Sequence, residues 1–334
     1  MAGAMSTTTP ILSGTRVLVT GGAGFIGSNL AERLLAQDNE VVVLDNFSTG
    51  KRENVAPFLD HPRFTLIEGD IRSMETCRKA VDGARYVLHH AALGSVPLSI
   101  DDPALAADVN ITGTVNVFCA AHKAGVERVV YAASSATYGD SKTLPQVEHD
   151  IGTPLSPYAI TKYVNELFAQ NFAALYGLSS VGLRYFNIFG PRQDPHGAYA
   201  AVIPLFAKAL VSHAAPTING DGSFSRDYTY IENVIQANQR AALATGPAAN
   251  QVYNIACGAA TSLTELFTDL RSLLARFDPA IADIQAVYGP ERVGDIPHSV
   301  ADITKARTLL GYAPTHGVPE GLLAAARWYF DHLR

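Results

Sequence analysis

Three glycines stand where an apolar run changes into a helical pattern, and this junction constrains the fold more than any other feature of the chain. The apolar run covers residues 17–20, and the helical spacing begins a few residues later. A strand that turns sharply into a helix needs unusual backbone dihedrals, and a phosphate approaching that helix needs backbone free of side chains. The junction therefore predicts a dinucleotide-binding turn that uses Gly21, Gly24, Phe25, Ile26 and Gly27.

An acidic residue ends the next apolar run. Asp45 closes the segment Glu40-Val-Val-Val-Leu-Asp45, which is where an acid that binds an adenosine ribose is expected. No arginine follows Asp45 closely, so a 2′-phosphate would find no evident partner there. The sequence therefore predicts NAD as the cofactor in preference to NADP.

The first half of the chain alternates strand-like and helix-like segments. Strands are predicted over 16–20, 40–44, 64–68, 86–90, 128–133 and 180–184, and helices over 26–37, 73–81, 108–124 and 158–176. Short buried strands separated by helices imply a parallel sheet covered on both faces, and right-handed crossovers make it doubly wound. The predicted fold class is α/β, with a doubly wound parallel Rossmann sheet and a smaller mixed C-terminal lobe.

This alternation ends after Phe186. Turn signals such as Asn219-Gly-Asp-Gly222 appear, and helical patterns return over 202–212, 231–245, 263–277 and 319–333. We expect a flexible leader over 1–14, the dinucleotide-binding domain over 15–187 with returns to the sheet near 228–256, and a substrate-binding lobe over 188–334.

Composition excludes several classes of protein. A net charge of −6 offers no basic surplus for nucleic acid, and no apolar run approaches the roughly 20 residues that span a bilayer. The three cysteines are widely spaced and the ten histidines form no metal-binding pattern. We predict no metal, no nucleic-acid or membrane partner, and a cytoplasmic location.

A tyrosine and a lysine lie one helical turn apart in Tyr158-Ala-Ile-Thr-Lys162. Tyrosine has an ordinary pKa of about 10 and is a poor base at neutral pH. A nearby ammonium and a positively charged nicotinamide would both favour the phenolate and lower that pKa. An isolated pair of this spacing is commonly a surface accident, but after a dinucleotide fingerprint it predicts a catalytic base and its partner.

Four segments together resemble the extended short-chain dehydrogenase/reductases. They are Thr20-Gly-Gly-Ala-Gly-Phe-Ile-Gly-Ser28, Ala133-Ser-Ser-Ala-Thr-Tyr-Gly139, the Tyr158/Lys162 pair and Leu183-Arg-Tyr-Phe-Asn187. Within that family the chain is similar to the nucleotide-sugar 4-epimerases, above all those that act on UDP-N-acetylglucosamine in bacteria. The segments 91–97, 193–204 and 219–227 carry that narrower similarity, and the whole resemblance runs from about residue 15 to about residue 329.

The resemblance implies roles for further cofactor residues. Tyr158 would be the base for the sugar 4′-hydroxyl, and Lys162 would lower its pKa and bind the nicotinamide ribose. The remaining contacts would come from Asp45 and Asn46 at the adenosine ribose, Asp70 and Ile71 at the adenine, Ala91 and Ala92 at the diphosphate, and Tyr185 at the nicotinamide.

A serine hydroxyl at the end of the fifth strand could donate to a substrate oxygen while the tyrosine takes a proton. Counting four residues back from Tyr138 selects Ser134, whereas matching Ser-Ala-Thr to related sequences selects Ser135. Both remain candidate catalytic residues, and the alternative for either is a turn rich in small polar residues.

The resemblance also implies a UDP-sugar substrate held by the C-terminal lobe. UDP would contact Asn187, Arg226, Arg292 and Asp295, and guanidinium groups suit phosphate oxygens. Asp227 and Arg192 are interpreted as loop or salt-bridge residues. The sugar pocket would include Gly94, Ser95, Ser135, Ala201, Val202 and Ser299.

Three positions narrow the expected reaction and substrate. Related dehydratases and decarboxylases carry carboxylates after the strand-end hydroxyl, but Ala136 and Thr137 stand there. Ser299 occupies the place where glucose/galactose-selective relatives have a bulky tyrosine, although a register shift of one would place His298 there instead. A serine leaves room for an N-acetyl group.

The expected function is therefore reversible 4-epimerisation of UDP-N-acetylglucosamine and UDP-N-acetylgalactosamine, with UDP-glucose and UDP-galactose as weaker substrates. The alternatives are a 4-epimerase for a UDP-hexuronic acid and, in a different class, a non-catalytic NAD-binding sensor. The resemblance also implies a homodimer that forms through helices 108–124 and 158–176.

Overall fold

A seven-stranded parallel sheet forms the centre of the computed structural model, which describes residues 11–195, 200–291 and 296–334. Its strands are β1 (Arg16–Thr20), β2 (Glu40–Asp45), β3 (Phe64–Glu68), β4 (Tyr86–His89), β5 (Arg128–Ser134), β6 (Ser180–Tyr185) and, much later in the chain, β11 (Val252–Ile255). Six of these strands begin at the predicted residue and end within one residue of the predicted position.

The strand order is β3-β2-β1-β4-β5-β6-β11, and every neighbouring pair is parallel. In the central register Val17 lies beside Val41 on one side and Tyr86 on the other. The order reverses direction between β1 and β4, which is the position where open α/β sheets bind their ligands. This topology confirms the predicted doubly wound Rossmann fold.

Helices cover both faces of the sheet. They are α1 (Phe25–Ala36), α2 (Arg52–Val55), α3 (Met74–Val81), α4 (Val96–Asp101), α5 (Pro103–Ala107), α6 (Gly113–Lys123), α7 (Pro157–Tyr176) and α9 (Ile231–Ala242). Successive strand residues point to opposite faces, so Val17 and Val19 pack in one core with α1 and α9, whereas Leu18 packs in a second core with α3, α6 and α7. Both faces are therefore buried, as a parallel sheet requires.

The C-terminal lobe combines α8 (Val202–Val211), α10 (Leu263–Leu274) and α11 (Val318–His332) with short strands. Those strands are β7 (Ile188–Phe189), β8 (Thr217–Asn219), β9 (Ser225–Arg226), β10 (Thr229–Tyr230), β12 (Thr261–Ser262), β13 (Val287–Gly289) and β14 (His298–Ser299). Strand β9 pairs with β12 and β14, β7 with β10, and β8 with β13. Strands of two or three residues are too short to show an alternating pattern, so the sequence did not predict them. The division into two domains stays a prediction.

Among the described residues, one helical stretch, Pro103–Lys123, is long and apolar enough by length and composition to cross a membrane. The prediction concerned uninterrupted apolar runs, and this stretch is interrupted by Asp108, Asn110 and Asn116. The stretch joins α5 to α6 through a π-helical turn at Asp108–Thr112. Phe118 is completely buried and packs edge-on against Phe172 of α7, with ring centres 5.5 Å apart. Its apolar residues thus help to form the core under the sheet.

The described residues include part of the predicted leader. Leu12 is buried, its backbone N–H donates to the Gln239 side chain, and its carbonyl accepts from Asn39. Packing and hydrogen bonds therefore hold the chain before the predicted boundary at residue 15. Residues 1–10 lie outside the described residues.

Candidate active site

The ends of β1 and β4 approach each other closely at the predicted diphosphate position. Gly21 has a φ of +71°, and a side chain there would place its Cβ 2.7 Å from the backbone nitrogen of Ala91. A Cβ at Gly27 would meet the carbonyl oxygen of Gly21. Gly24 precedes α1, and no described side chain caps that helix. The junction therefore brings bare backbone and helix N–H groups to one place, as a bound diphosphate requires.

The predicted adenosine-binding residues gather at the ends of β2 and β3. Asp45 is buried, and its carboxylate accepts from the backbone N–H groups of Ala23 and Phe47 at 2.9 and 2.8 Å. Asn46 donates to Asp70 at 2.8 Å. A hydrogen bond from Arg72 lowers the pKa of Asp70 to about 2, so Asp70 is an anion at neutral pH. Both acids can accept from ribose or adenine donors, so this crevice fits NAD.

The predicted base and its candidate serine meet at the end of β5. A hydrogen bond links the Ser134 side chain to the Tyr158 phenol, and the Ser134 oxygen also accepts from the backbone N–H of Ala136. The backbone N–H of Tyr158 donates to the Ser99 hydroxyl at 3.0 Å, which holds the start of α7. Ser135 begins the next turn and is half-buried, with no described hydrogen bond to Tyr158. This geometry favours Ser134 over Ser135.

The pKa of Tyr158 is shifted in the opposite direction from the one expected. Burial raises the pKa of its phenol above the ordinary value, and the Ser134 hydrogen bond opposes this only in part. Lys162, which was expected to lower that pKa, lies 5.8 Å from the centre of the tyrosine ring and donates instead to the Ala132 carbonyl at 2.9 Å. The protein groups alone therefore do not favour the phenolate. An oxidised nicotinamide bound near the phenol would add a positive charge that favours the phenolate.

The comparison with known protein families identifies the chain's relatives. The profile of the NAD dependent epimerase/dehydratase family matches residues 17–256. The chain belongs to this family. Because its members are NAD-dependent and its crevice fits the dinucleotide, the cofactor is NAD.

Individual members of the family align over nearly the whole chain. A UDP-glucose 4-epimerase from Mycolicibacterium smegmatis is 37% identical over 94% of this chain and 98% of its own length. The solved structure of a UDP-N-acetylglucosamine 4-epimerase from Methanobrevibacter ruminantium, in complex with UDP-N-acetylmuramic acid, has a TM-score of 0.89 and 37% identity over 96% of this chain and 99% of that one. A UDP-glucuronic acid 4-epimerase variant from Bacillus cereus, with NAD bound, has a TM-score of 0.83 and 29% identity over 94% and 98%.

In this epimerase/dehydratase family member, His90 contacts Tyr185, the residue predicted to lie at the nicotinamide. Its Nε2 lies 3.0 Å from the Tyr185 hydroxyl, and Asn238 donates to the same hydroxyl at 2.9 Å. Burial lowers the pKa of His90 to about 4, so the ring is neutral at physiological pH. The β5–β6 register places Tyr185 beside Ser134. The position of His90 directly before Ala91, at the end of a buried strand, was the available signal.

Three predicted substrate residues come together in the C-terminal lobe. Asn187 has a φ of +35°, which asparagine tolerates better than most residues, and it donates to the carbonyl of Asp227 at 3.0 Å. Strand pairing aligns Ser299 with Arg226. The Arg226 guanidinium donates to the Pro297 carbonyl at 3.1 Å, which orients it along the same strand pair.

Asp227 has a different role from the predicted loop or salt-bridge residue. It is completely buried, and its carboxylate accepts backbone hydrogen bonds from Cys257, Gly258 and Ala301. The same expectation is correct for Arg192, which pairs with Glu32 at 2.6 Å. A buried carboxylate with backbone donors cannot be recognised from sequence, because those donors come from distant segments.

The remaining predicted residues are not joined to Ser134 and Tyr158 by hydrogen bonds among the described residues. The Ser95 hydroxyl oxygen accepts from Leu98 and caps α4, with Gly94 just before it. Ala201 and Val202 stand at the start of α8. Arg292 and Asp295 lie outside the described residues. In the described part of the chain, no group of three or more His, Cys, Asp and Glu side chains could hold a metal.

Proposed function

We propose that this UDP-sugar 4-epimerase interconverts UDP-N-acetylglucosamine and UDP-N-acetylgalactosamine. The observation that carries the proposal is the position of Ser299, a small side chain on β14 that pairs directly with Arg226, a predicted UDP ligand. A serine at that position would leave space for the N-acetyl group, whereas a tyrosine would fill it. UDP-glucose and UDP-galactose would be weaker substrates.

Tyr158 would take the proton from the sugar 4′-hydroxyl. When bound, NAD would supply the reversible hydride transfer at C4′ that this epimerisation needs. Ser134, within hydrogen-bonding reach of the phenol, would hold the substrate oxygen that loses and regains its proton. Lys162, fixed on the Ala132 carbonyl, would orient the nicotinamide ribose. The cofactor is regenerated in each turnover, so no external reductant is needed.

Inversion at C4′ requires the sugar to turn while UDP stays bound. Binding energy must therefore come from the nucleotide and leave the hexose free to rotate. Asn187, between β6 and β7, and Arg226, on β9, would hold UDP. Ala136 and Thr137, which follow Ser135, carry no carboxylate, so the removal of water from C5–C6 would lack its acid and base.

The same experiment also tests two alternative functions. A UDP-hexuronic acid 4-epimerase would have a carboxylate at C5 of its substrate, and the relative from Bacillus cereus supports that chemistry. A non-catalytic NAD sensor would bind the cofactor without turnover. The hydrogen bond between Ser134 and Tyr158, and the burial of Lys162, argue for a working site.

We also propose that the enzyme is a cytoplasmic homodimer that associates through α6 and α7. Ile160, Leu167 and Leu175 of α7 are between 46% and 66% exposed, which is unusual for three large apolar side chains on one helix. A second copy of the same surface would bury them. Light scattering coupled to gel filtration should give twice the chain mass of 35.6 kDa.

The proposal is tested by incubating the protein with UDP-N-acetylglucosamine, without added reductant, and separating the products. We expect the galacto epimer to form. UDP-glucose and UDP-glucuronic acid run in parallel should react more slowly. Tyr158→Phe should retain NAD and lose turnover by a factor of at least about 100. If UDP-glucuronic acid is converted faster than UDP-N-acetylglucosamine, the enzyme is instead a UDP-hexuronic acid 4-epimerase. Retained activity in Tyr158→Phe would refute the assignment of Tyr158 as the base.

A further inference from the structure

Asp227 accepts hydrogen bonds from two separate segments of the C-terminal lobe. Its carboxylate lies 2.9 Å from each of the backbone nitrogens of Cys257 and Gly258, and 3.2 Å from that of Ala301. Gly258 has a φ of +75°, so two consecutive N–H groups converge on the carboxylate. Such a concave arrangement of backbone donors is a typical anion-binding nest. Here the anion belongs to the protein itself.

The backbone of Asp227 makes two more connections. Its N–H donates to the Ser299 carbonyl at 2.9 Å, and its own carbonyl accepts from the Asn187 side chain at 3.0 Å. Arg226 is its immediate neighbour in the chain. One buried residue therefore joins three predicted substrate-binding residues: Asn187, Arg226 and Ser299.

The segment that carries Ser299 is also held from the opposite side. Gln146 donates from its backbone to the Val300 carbonyl at 2.8 Å, and its side chain accepts from the Ser299 hydroxyl at 3.3 Å. Asn254 donates to the carbonyls of Gln146 and Asp302, and accepts from the Tyr138 hydroxyl at 2.6 Å. Residues 299–302 are thus fixed between Asp227 and the strand end that bears the catalytic serine.

We propose that Asp227 is a positioning residue that holds Ser299 at a set distance from the UDP-binding residues, and so controls which hexose the enzyme accepts. This inference rests on the proposed function. The nucleotide must stay bound while the sugar turns, so the wall beside the sugar has to keep its place relative to the nucleotide. If the contact to residue 301 is lost, that wall can shift, while Ser134, Tyr158 and Lys162 remain in position on other elements.

Asparagine is the sharpest probe of this role because it matches aspartate in shape. Its amide offers one acceptor oxygen, and its NH₂ group would face an N–H donor on the other side. At least one of the three backbone donors would then be left without a partner. Asp221→Asn is the matched control, since Asp221 is an exposed residue of the same lobe whose carboxylate accepts from Ser223 in a local turn.

Steady-state kinetics of the NAD-loaded enzyme should separate positioning from chemistry. In Asp227→Asn we expect KM for UDP-N-acetylglucosamine to rise about tenfold, the equivalent of one unpaired buried donor, with kcat changed by less than about threefold. The ratio of kcat/KM for the acetylated UDP-sugar to kcat/KM for the plain UDP-sugar should fall. Asp221→Asn should match the wild type. An unchanged KM and substrate preference in Asp227→Asn, or a fall in kcat alone, would overturn the proposal.

Hydrogen exchange measured by mass spectrometry tests the contact without any turnover. Peptides that contain residues 257–258 and 299–301 should exchange faster in Asp227→Asn, whereas peptides from β1 and β4 should not change. If the peptides that contain residues 257–258 and 299–301 exchange at the same rate in Asp227→Asn as in the wild type, the contact is contradicted. If wild-type enzyme converts no UDP-sugar, the proposed function fails, and the exchange experiment still decides whether the contact exists.

A second variant covers the case in which Asp227→Asn does not fold. Gly258→Ala leaves the carboxylate intact and strains one wall of the nest, because alanine disfavours the positive φ while its Cβ would meet only ordinary contacts, the nearest 3.5 Å away. It should raise KM in the same direction, by about threefold. An unchanged KM in this variant would also count against the proposal.

Discussion

The ammonium of Lys162 donates a hydrogen bond of 2.9 Å to the carbonyl oxygen of Ala132. This contact joins the second turn of α7 to the end of β5. Burial lowers the pKa of Lys162 from its ordinary 10.5 to about 8. The enzyme therefore keeps a cation in a place where cations are disfavoured, and this has a cost in stability that can be measured.

Lys162→Met should make the protein more stable and much less active. The folded state holds fewer protons on this lysine than the unfolded chain between about pH 8 and pH 10.5, so the unfolding free energy of the wild type should rise with pH across that window. Methionine removes the buried charge, and after the lost hydrogen bond we expect a net gain of about 1 to 2 kcal/mol at neutral pH. Urea unfolding at both ends of the window measures this.

The same variant should lose kcat by about 100-fold, because Lys162 is proposed to orient the nicotinamide ribose for the reaction. Lys142→Met, at an exposed position, is the control and should change neither quantity. A destabilised Lys162→Met protein would show that the lysine contributes more through its hydrogen bond than it costs through burial.

Ser134→Ala should impair the reaction more than Ser135→Ala. Ser134 contacts the Tyr158 phenol, and its removal takes away the one hydrogen bond that lowers the pKa of that group. We expect kcat to fall by about 100-fold in Ser134→Ala and by less than about tenfold in Ser135→Ala. Plots of log kcat against pH should also show a higher apparent pKa for the base in Ser134→Ala. The reverse ranking would assign the catalytic hydroxyl to Ser135.

Ser299→Tyr should shift the substrate preference toward UDP-glucose. A phenol ring at this position would compete for space with the N-acetyl group, so the ratio of kcat/KM for the acetylated over the plain sugar should fall by about 10- to 100-fold. Neighbouring residues of a strand point to opposite faces, which makes His298→Tyr a matched control. If His298→Tyr causes the shift instead, the wall of the sugar pocket is one residue earlier than proposed.

Asp227 should leave a signature in the pH dependence of stability. Burial raises its pKa from 3.8 to about 6, so the folded protein binds this proton more tightly than the unfolded chain, and the contribution to the unfolding free energy is lost as pH rises through about 6. Asp227→Asn cannot titrate. The unfolding free energy of Asp227→Asn minus that of the wild type should therefore be about 1 kcal/mol more favourable to the variant at about pH 7.5 than at about pH 5.

Urea unfolding at the two pH values measures this difference. The neighbouring Cys257 thiol and Tyr312 phenol have raised pKa values and stay neutral across the window, so neither can produce the signal. Asp221→Asn should show no such improvement, because hydrogen bonds from Ser223 lower the pKa of Asp221. A stability difference that does not change with pH would contradict the raised pKa of Asp227.

The Rossmann half of the protein could be predicted closely because its signals are local. A buried parallel strand is a short apolar run. Gly27 is required by contacts within one strand-turn-helix unit, whereas Gly21 is required by its positive φ and by the approach of His90 and Ala91. The start of α7 likewise carries Tyr158 and Lys162 on one face through helical spacing alone. For these elements, sequence patterns and tertiary structure agree because their conformation depends on few residues that are distant in the chain.

The C-terminal lobe shows the opposite case. Strands β9 and β14 have two residues each, and their register, which pairs Arg226 with Ser299, joins segments more than 70 positions apart in the chain. The predicted lowering of the Tyr158 pKa was also wrong for the protein groups alone, because a sequence shows that a lysine is near but not which oxygen its ammonium contacts.

The sequence by itself therefore determined the α/β class, the dinucleotide turn and the tyrosine-lysine pair, since backbone geometry and helical spacing act over a few residues. Only the tertiary structure favoured Ser134 over Ser135, placed His90 beside Tyr185 and revealed what Asp227 contacts. Each of these depends on desolvation and on partners from other elements. The energy of a buried charge or hydroxyl is set by its whole surroundings, and no local pattern contains that information.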